Sequence, residues 1–142
     1  MRQVKHLLDV KGSTVYSVRP DEAVYTALER MAEHGIGALA VVADGELVGL
    51  VSERDYARKV VLKHRSSLDT PVADVMSSPV LSVGLDASVD ECMHLCTERR
   101  VRHLPVLADG KLIGLISIGD LVKALLDEQS EEIAHLQRYI AG

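Results

Sequence analysis

Two seven-residue strings carry the residue types from which a binding site could be built. They are Gly49-Leu50-Val51-Ser52-Glu53-Arg54-Asp55 and Gly114-Leu115-Ile116-Ser117-Ile118-Gly119-Asp120. The shared pattern is glycine, two apolar residues, serine, two variable residues and aspartate. The glycine permits close approach of backbone or ligand. The serine sits where a strand ends and a helix begins, so its hydroxyl and the free N–H groups beside it can meet an anion. The aspartate is acceptor-only when ionised and can take both hydroxyls of a ribose. Together the two residues suit a phosphate and a diol about one nucleoside apart. The same spacing also makes an ordinary helix N-cap, with an acid near the positive end of the helix dipole. A single copy favours the cap. Two copies in one register, each behind a glycine, favour a shared pocket.

Other chemistry finds no constellation. Gly35-Ile36-Gly37-Ala38-Leu39-Ala40 spells a dinucleotide fingerprint but precedes a strand instead of following one. No phosphate-loop string occurs. The histidines at 6, 34, 64, 94, 103 and 135 are scattered, and neither H-E-x-x-H nor C-x-x-C is present, so no metal site is expected. Cys92 and Cys96 lie four apart, an awkward spacing for a disulfide within one helix, and read as small buried hydrophobes. No Ser-His-Asp or paired-carboxylate arrangement stands out, so no catalytic residue is expected.

The elements that must position the two strings are themselves written twice. Residues 15–61 and 80–126 align without a gap at an offset of 65, which brings Asp120 onto Asp55. Roughly a third of the aligned positions are identical. Each copy opens with a short extended piece (Val15 to Val18; Val80 to Val83). An acidic cap, Asp21 or Asp86, then leads into an amphipathic helix. Its apolar face holds Val24, Ala27, Leu28 and Met31, or Val89, Cys92, Met93 and Cys96. The first helix closes at Gly35. Two strands follow around an Asp-Gly hairpin turn, Asp44-Gly45 or Asp109-Gly110. A second helix begins at Asp55 or Asp120. The fold class is therefore α/β, with two β-α-β-β-α repeats. Neither repeat can bury its apolar sheet alone, so the two should pack together. The expected division is 1–66 for the first repeat with its lead-in, 67–127 for the second, and 128–142 for a C-terminal helix. Val72-Ala73-Asp74-Val75-Met76 resembles the lead-in Val4-Lys5-His6-Leu7-Leu8. In the last helix Ile133, Leu136 and Ile140 share a face that packs either on its own protomer or against a second one.

The two strings, the hairpins before them and Arg102-His103-Leu104-Pro105-Val106 together resemble the CBS domain, named after cystathionine beta-synthase. A tandem of two resembles a Bateman module. The resemblance implies repeats packed sheet to sheet with pseudo-twofold symmetry, leaving two clefts for adenosine compounds such as AMP, ADP, ATP or NAD. It implies that the aspartate holds the ribose hydroxyls and the serine supports phosphate. Carried over by position, one cleft would use Ser52, Arg54 and Asp55 with Met76, Val80, His103, Leu104 and Pro105. The other would use Ser117, Gly119 and Asp120 with Thr14, Tyr16, Gly37, Ala38 and Leu39. Arg102 and His103 stand where basic residues meet phosphates, and Arg58 and Lys59 add charge on the helix after Asp55. The first repeat has Gly37 and Ala38 where the second has Arg102 and His103, and Arg54 aligns with Gly119. The clefts should therefore be unequal.

The remaining composition narrows the partners. A net charge of -5 argues against bulk attraction to nucleic acid or an anionic membrane. No apolar run reaches the roughly 18 residues of a membrane span, and the N-terminus lacks a signal-peptide stretch. The expectation is a cytoplasmic, non-catalytic homodimer that senses adenine nucleotides and acts on another protein. The alternative is a dimeric structural or interaction module without a physiological nucleotide.

Overall fold

The computed structural model describes residues 2–141; Met1 and Gly142, the outer ends of the first and last expected segments, lie outside them. Along the chain come α1 (Val4–Lys11), β1 (Ser17–Val18), α2 (Val24–His34), β2 (Ala38–Ala43), β3 (Glu46–Ser52) and α3 (Glu53–Tyr56). A π-helical turn, Ala57–Val61, continues α3, and a 3-10 turn covers Val72–Asp74. Then follow α4 (Val89–Arg99), β4 (His103–Ala108), β5 (Lys111–Ser117) and α5 (Ile118–Ala141). Two compact units form. One comprises residues 14–81 with 109–112; the other comprises residues up to 13, 82–108 and from 113 onward.

In the first unit β2 pairs antiparallel with β3 and parallel with β1. Asp44 and Gly45 take φ of 51° and 80°, the left-handed pair that a two-residue turn needs to match strand twist. A bulge lies between Val41 and Val42. The expected strand from Val15 is shorter: pairing begins at Ser17 with Ala40, two residues beyond the start of β2. Val24, Ala27 and Met31 of α2 bury against Val18, Leu39, Val41, Val51, Val60, Val72 and Val75, an aliphatic core with Leu28 at its edge. Asp21 does not cap this helix. Its N-cap is Ala23, without a side-chain bond, while Glu22 takes a bidentate pair from Arg30 at 2.8 Å and the Arg19 N–H at 2.8 Å. The helix ends at Gly35 in the left-handed conformation, with Ile36 N–H returning to the Met31 carbonyl at 3.0 Å.

The second unit repeats this plan with substitutions. Asp86 is not the cap of α4. Ser88 is, because only the extended residue directly before the helix can reach the Glu91 N–H, at 3.0 Å. The equivalent helix end is Arg100, a side-chain-bearing residue at φ 55°. The strand expected at Val80 to Val83 is reduced to one parallel bridge from Val83 to Val106. Cys92 and Cys96 are free thiols buried on α4. Burial pushes Cys92 up to about 11, with Cys96 and Glu91 adding to the shift.

The lead-ins are exchanged between repeats. The segment before the second repeat packs on the first: Val24 N–H to Thr70 O, Val72 N–H to Glu22 O and Ala73 N–H to Pro20 O, at 2.8–2.9 Å. The segment before the first repeat packs on the second. Val89 N–H bonds Arg2 O at 3.0 Å, Val4 N–H bonds Ala87 O at 2.9 Å, and Lys5 N–H bonds Leu85 O at 3.0 Å. The similarity of 72–76 to 4–8 is thus structural, although α1 joins the repeat it does not precede.

No helix break separates 127 from 128. One helix of 24 residues runs through, burying Leu121 and Ala124 in its first half. From Gln129 to Ala141 every residue is exposed, so this stretch does not pack its apolar face on its own protomer. Among the described residues no helix is long and apolar enough to cross a membrane.

Candidate functional site

The first string ends β3 and starts α3. Ser52 is extended, at φ -131° and ψ 164°, and its Oγ accepts the Asp55 N–H at 3.2 Å. Asp55 Oδ2 accepts the Ser52 N–H at 2.9 Å and the Ser52 hydroxyl at 3.0 Å. This is a reciprocal capping box. The Ser52 hydroxyl proton is therefore committed to Asp55. The other oxygen, Oδ1, lies 3.2 Å from Lys59 Nζ, which also donates to the Val75 carbonyl at 2.9 Å. Lys59 thus tethers the helix start to the lead-in. Glu53 N–H bonds Gly37 O at 3.0 Å, and Ala38 pairs with Ser52, so Gly37 and Ala38 stand beside the junction.

The second string builds the same junction between β5 and α5. Ser117 Oγ accepts the Asp120 N–H at 3.2 Å, and Asp120 Oδ2 accepts the Ser117 N–H at 2.8 Å. Ile118 N–H bonds Arg102 O at 2.9 Å, repeating the bond at Gly37. The cation differs. Lys59 aligns with Ala124, and Asp120 takes its lysine from α1: Lys11 Nζ lies 2.6 Å from Oδ2 and 2.7 Å from the Leu115 carbonyl. Burial pushes the Asp120 carboxyl up, but Lys11 and the Ser117 N–H outweigh it and hold it below the usual aspartate range. Both the Ser117 N–H and Lys11 fall on Oδ2, and among the described residues no hydrogen bond reaches Oδ1.

Lys11 is the residue sequence reasoning missed. Its signal was indirect: Ala124 stands at the position of Lys59, so Asp120 lacks the lysine four residues on that Asp55 has. Lys11 also lines a pocket of about 200 Å³ between α1 and α5, with Arg2, His6, Lys123, Asp120 and Asp127.

The remaining expected residues divide by environment. Leu39 and Leu104 have no exposed surface, and Ala38 and Pro105 are buried strand residues. Their side chains belong to the core, leaving only backbone for a ligand. His103 is part-buried. Burial lowers its pKa, Lys11 and Arg102 lower it further against the pull of Asp120, and the ring is neutral at pH 7. Arg54, Arg58, Arg102 and Gly119 are exposed, and Val80 is part-buried. Thr14 is exposed, while Tyr16 stacks on His34 with ring centroids 3.6 Å apart.

The two glycines are points of close packing. A Cβ on Gly49 would lie 2.5 Å from Met76 Sδ and 3.1 Å from Ser77 O. On Gly114 it would lie 2.7 Å from Leu8 Cδ2. Met76 and Leu8 are equivalent lead-in residues, so the glycine of each string is where a lead-in seats. Among the described residues no cluster of His, Cys, Asp or Glu could hold a metal ion.

Comparison with known proteins agrees with this arrangement. The CBS domain model matches twice, at residues 9–62 and 72–127. The mitochondrial CBS domain-containing protein CBSX3 of Arabidopsis thaliana is 42% identical over 127 residues, covering 86% of this chain. The chain spans 62% of that relative's length. A solved protein with CBS domains from Burkholderia ambifaria MC40-6 is 53% identical, with a TM-score of 0.87 over 90% of this chain and 96% of that one. The CBS domain pair of protein MJ0100, solved with 5-methylthioadenosine and S-adenosyl-L-methionine, shares the fold at a TM-score of 0.79 and 18% identity, covering 90% of this chain and 98% of that one. With two domain matches, duplicated junctions and exchanged lead-ins, the chain belongs to the CBS-domain family and is a tandem pair of CBS domains.

Proposed function

We propose that the chain is a regulatory module that binds an adenine nucleotide and passes its occupancy to another protein, without turnover of its own. One observation carries this reading: the same serine-aspartate geometry closes both strand-to-helix junctions, with each carboxylate otherwise met by a lysine from its surroundings. An ionised carboxylate can accept both hydroxyls of a ribose. At Asp120 one oxygen is already open. The other requires Lys11 to move, and an ion pair exposed by 39% and 27% on its two sides contributes about 1 kcal/mol or less. A released Lys11, with Arg2 and Lys123, would then face the ligand's phosphates. At Asp55 the corresponding charges are Arg54, Arg58 and Lys59. AMP, ADP, ATP and NAD share the adenosine group. The complex of a related domain pair with two other adenosine compounds supports that class. The module acts as a homodimer in this reading.

Calorimetric titration with AMP, ATP and NAD tests it, using wild type, Asp55→Asn and Asp120→Asn. Asparagine retains a capping oxygen but lacks the charge. Loss of one charge-assisted bond should weaken binding by about tenfold or more at the altered junction. Unchanged binding in both variants would remove the assignment. The alternative, an interaction module without a nucleotide, draws on the exposed apolar face of α5. It is favoured if millimolar nucleotide leaves the melting temperature where it was.

A further inference from the structure

Lys11 covers one oxygen of the Asp120 carboxylate. It is the last residue of α1, where the Gly12 N–H closes the helix on the Leu8 carbonyl at 2.7 Å. Leu7 and Leu8 are buried, and Leu8 seats against Gly114. Positions three and four apart share a helix face, so Lys11 is carried to the same strand end. Its ammonium bonds the Leu115 carbonyl at 2.7 Å and Asp120 Oδ2 at 2.6 Å. Oδ2 also accepts the Ser117 N–H at 2.8 Å, which uses both of its lone pairs. A vicinal diol aimed at this carboxylate therefore finds an acceptor at Oδ1 and a filled one at Oδ2.

Given an adenosine ligand at this junction, as the function above requires, we propose that Lys11 selects phosphorylated ligands over nucleosides. A nucleoside that binds through both hydroxyls must expel the ammonium from Oδ2 and leaves it without an anion. A nucleotide expels it too but brings a replacement, the phosphate. The groove between α1 and α5 has room for that exchange: about 200 Å³, lined by both Lys11 and Asp120. Lys123 lines it as well and pairs with no carboxylate among the described residues. Arg2, held by Asp127 and Glu131, adds a third cation. Lys11 comes from a segment 109 residues away, so this selection is a property of the second junction alone.

Calorimetric titration of adenosine and of AMP into the full chain tests this, in an Asp55→Asn background so that the second junction reports. Without Lys11 both ligands gain the freed oxygen, and AMP alone loses a phosphate contact. Lys11→Met should therefore tighten adenosine by up to about fivefold, the worth of an exposed ion pair. The ratio of AMP to adenosine affinity should fall by about tenfold, the loss of one charge-assisted bond. Lys11→Arg keeps the cation and should keep most of that ratio, which separates charge from damage to α1. An unchanged ratio in Lys11→Met, or an equal loss in Lys11→Arg, would overturn the role of Lys11 while nucleotide binding stands. Adenosine binding that fails to tighten would overturn the competition at Oδ2. Binding that vanishes in the Asp55→Asn background would place the ligand at the first junction only and overturn it too. If wild type binds none of AMP, ATP and NAD, the nucleotide function itself fails and the selection with it.

Discussion

Gly35 and Arg100 end equivalent helices in the same left-handed conformation, but only glycine adopts it without steric penalty. Arg100→Gly should therefore stabilise the protein by about 1 kcal/mol, read as a higher denaturant midpoint at unchanged slope. The aspartates show a comparable substitution of means within a conserved geometry. Both capping boxes follow from local spacing and were legible as one of two readings of the strings. The lysines were not. Lys59 sits one helical turn from Asp55, yet it could equally have been a solvated charge. Lys11 lies 109 residues from Asp120 and reaches it only through the fold. Removing it with Lys11→Met should raise the Asp120 pKa toward the ordinary range in an NMR titration. The sign for stability follows. Because Asp120 is depressed in the folded state, its contribution is present above the unfolded aspartate pKa and is lost as pH falls through the folded one.

At the level of elements, periodicity and turn chemistry were reliable guides. The face of α2, both Asp-Gly hairpins and the Gly35 stop all formed where the residues indicated. The capping aspartates misled because an acid three residues before a helix resembles a cap, although only the adjacent position has the reach. The first strands came out short because composition does not reveal how far a neighbour extends. Gly49 and Gly114 indicated a close approach, and the fold supplies one at each. Glycine signals close approach but not by what, and here the approaching groups are Met76 and Leu8. Gly49→Ala should destabilise by about 1–3 kcal/mol, since the Ser77 carbonyl cannot yield as readily as the tip of Met76. Gly84→Ala, with nothing within 4 Å of its Cβ, serves as the control and should change the unfolding midpoint little.

For the molecule as a whole, the fully buried hydrophobic residues are aliphatic or sulfur-bearing, and the thiols of Cys92 and Cys96 are among them. At pH 8 Cys92 and Cys96 should resist alkylation in the native protein and react rapidly once denaturant is added, because burial holds both pKa values above the ordinary range. Acid should weaken the first unit through Glu22. Its bidentate bond from Arg30, opposed by burial, holds the carboxyl below the usual glutamate range. Stability from this pair is full above the unfolded glutamate pKa and declines as pH falls through the folded value. Glu22→Gln should flatten the acid limb of a melting-temperature profile. The exchange of lead-ins also bears on synthesis. Residues 14–81 supply nearly all of the first unit and leave the ribosome early and together. The eight residues of α1 emerge before them but have nothing to dock on until the second repeat is made. A segment translated before the first unit thus finds its place only once the second repeat is made, and the second unit closes by joining residues far apart in the chain.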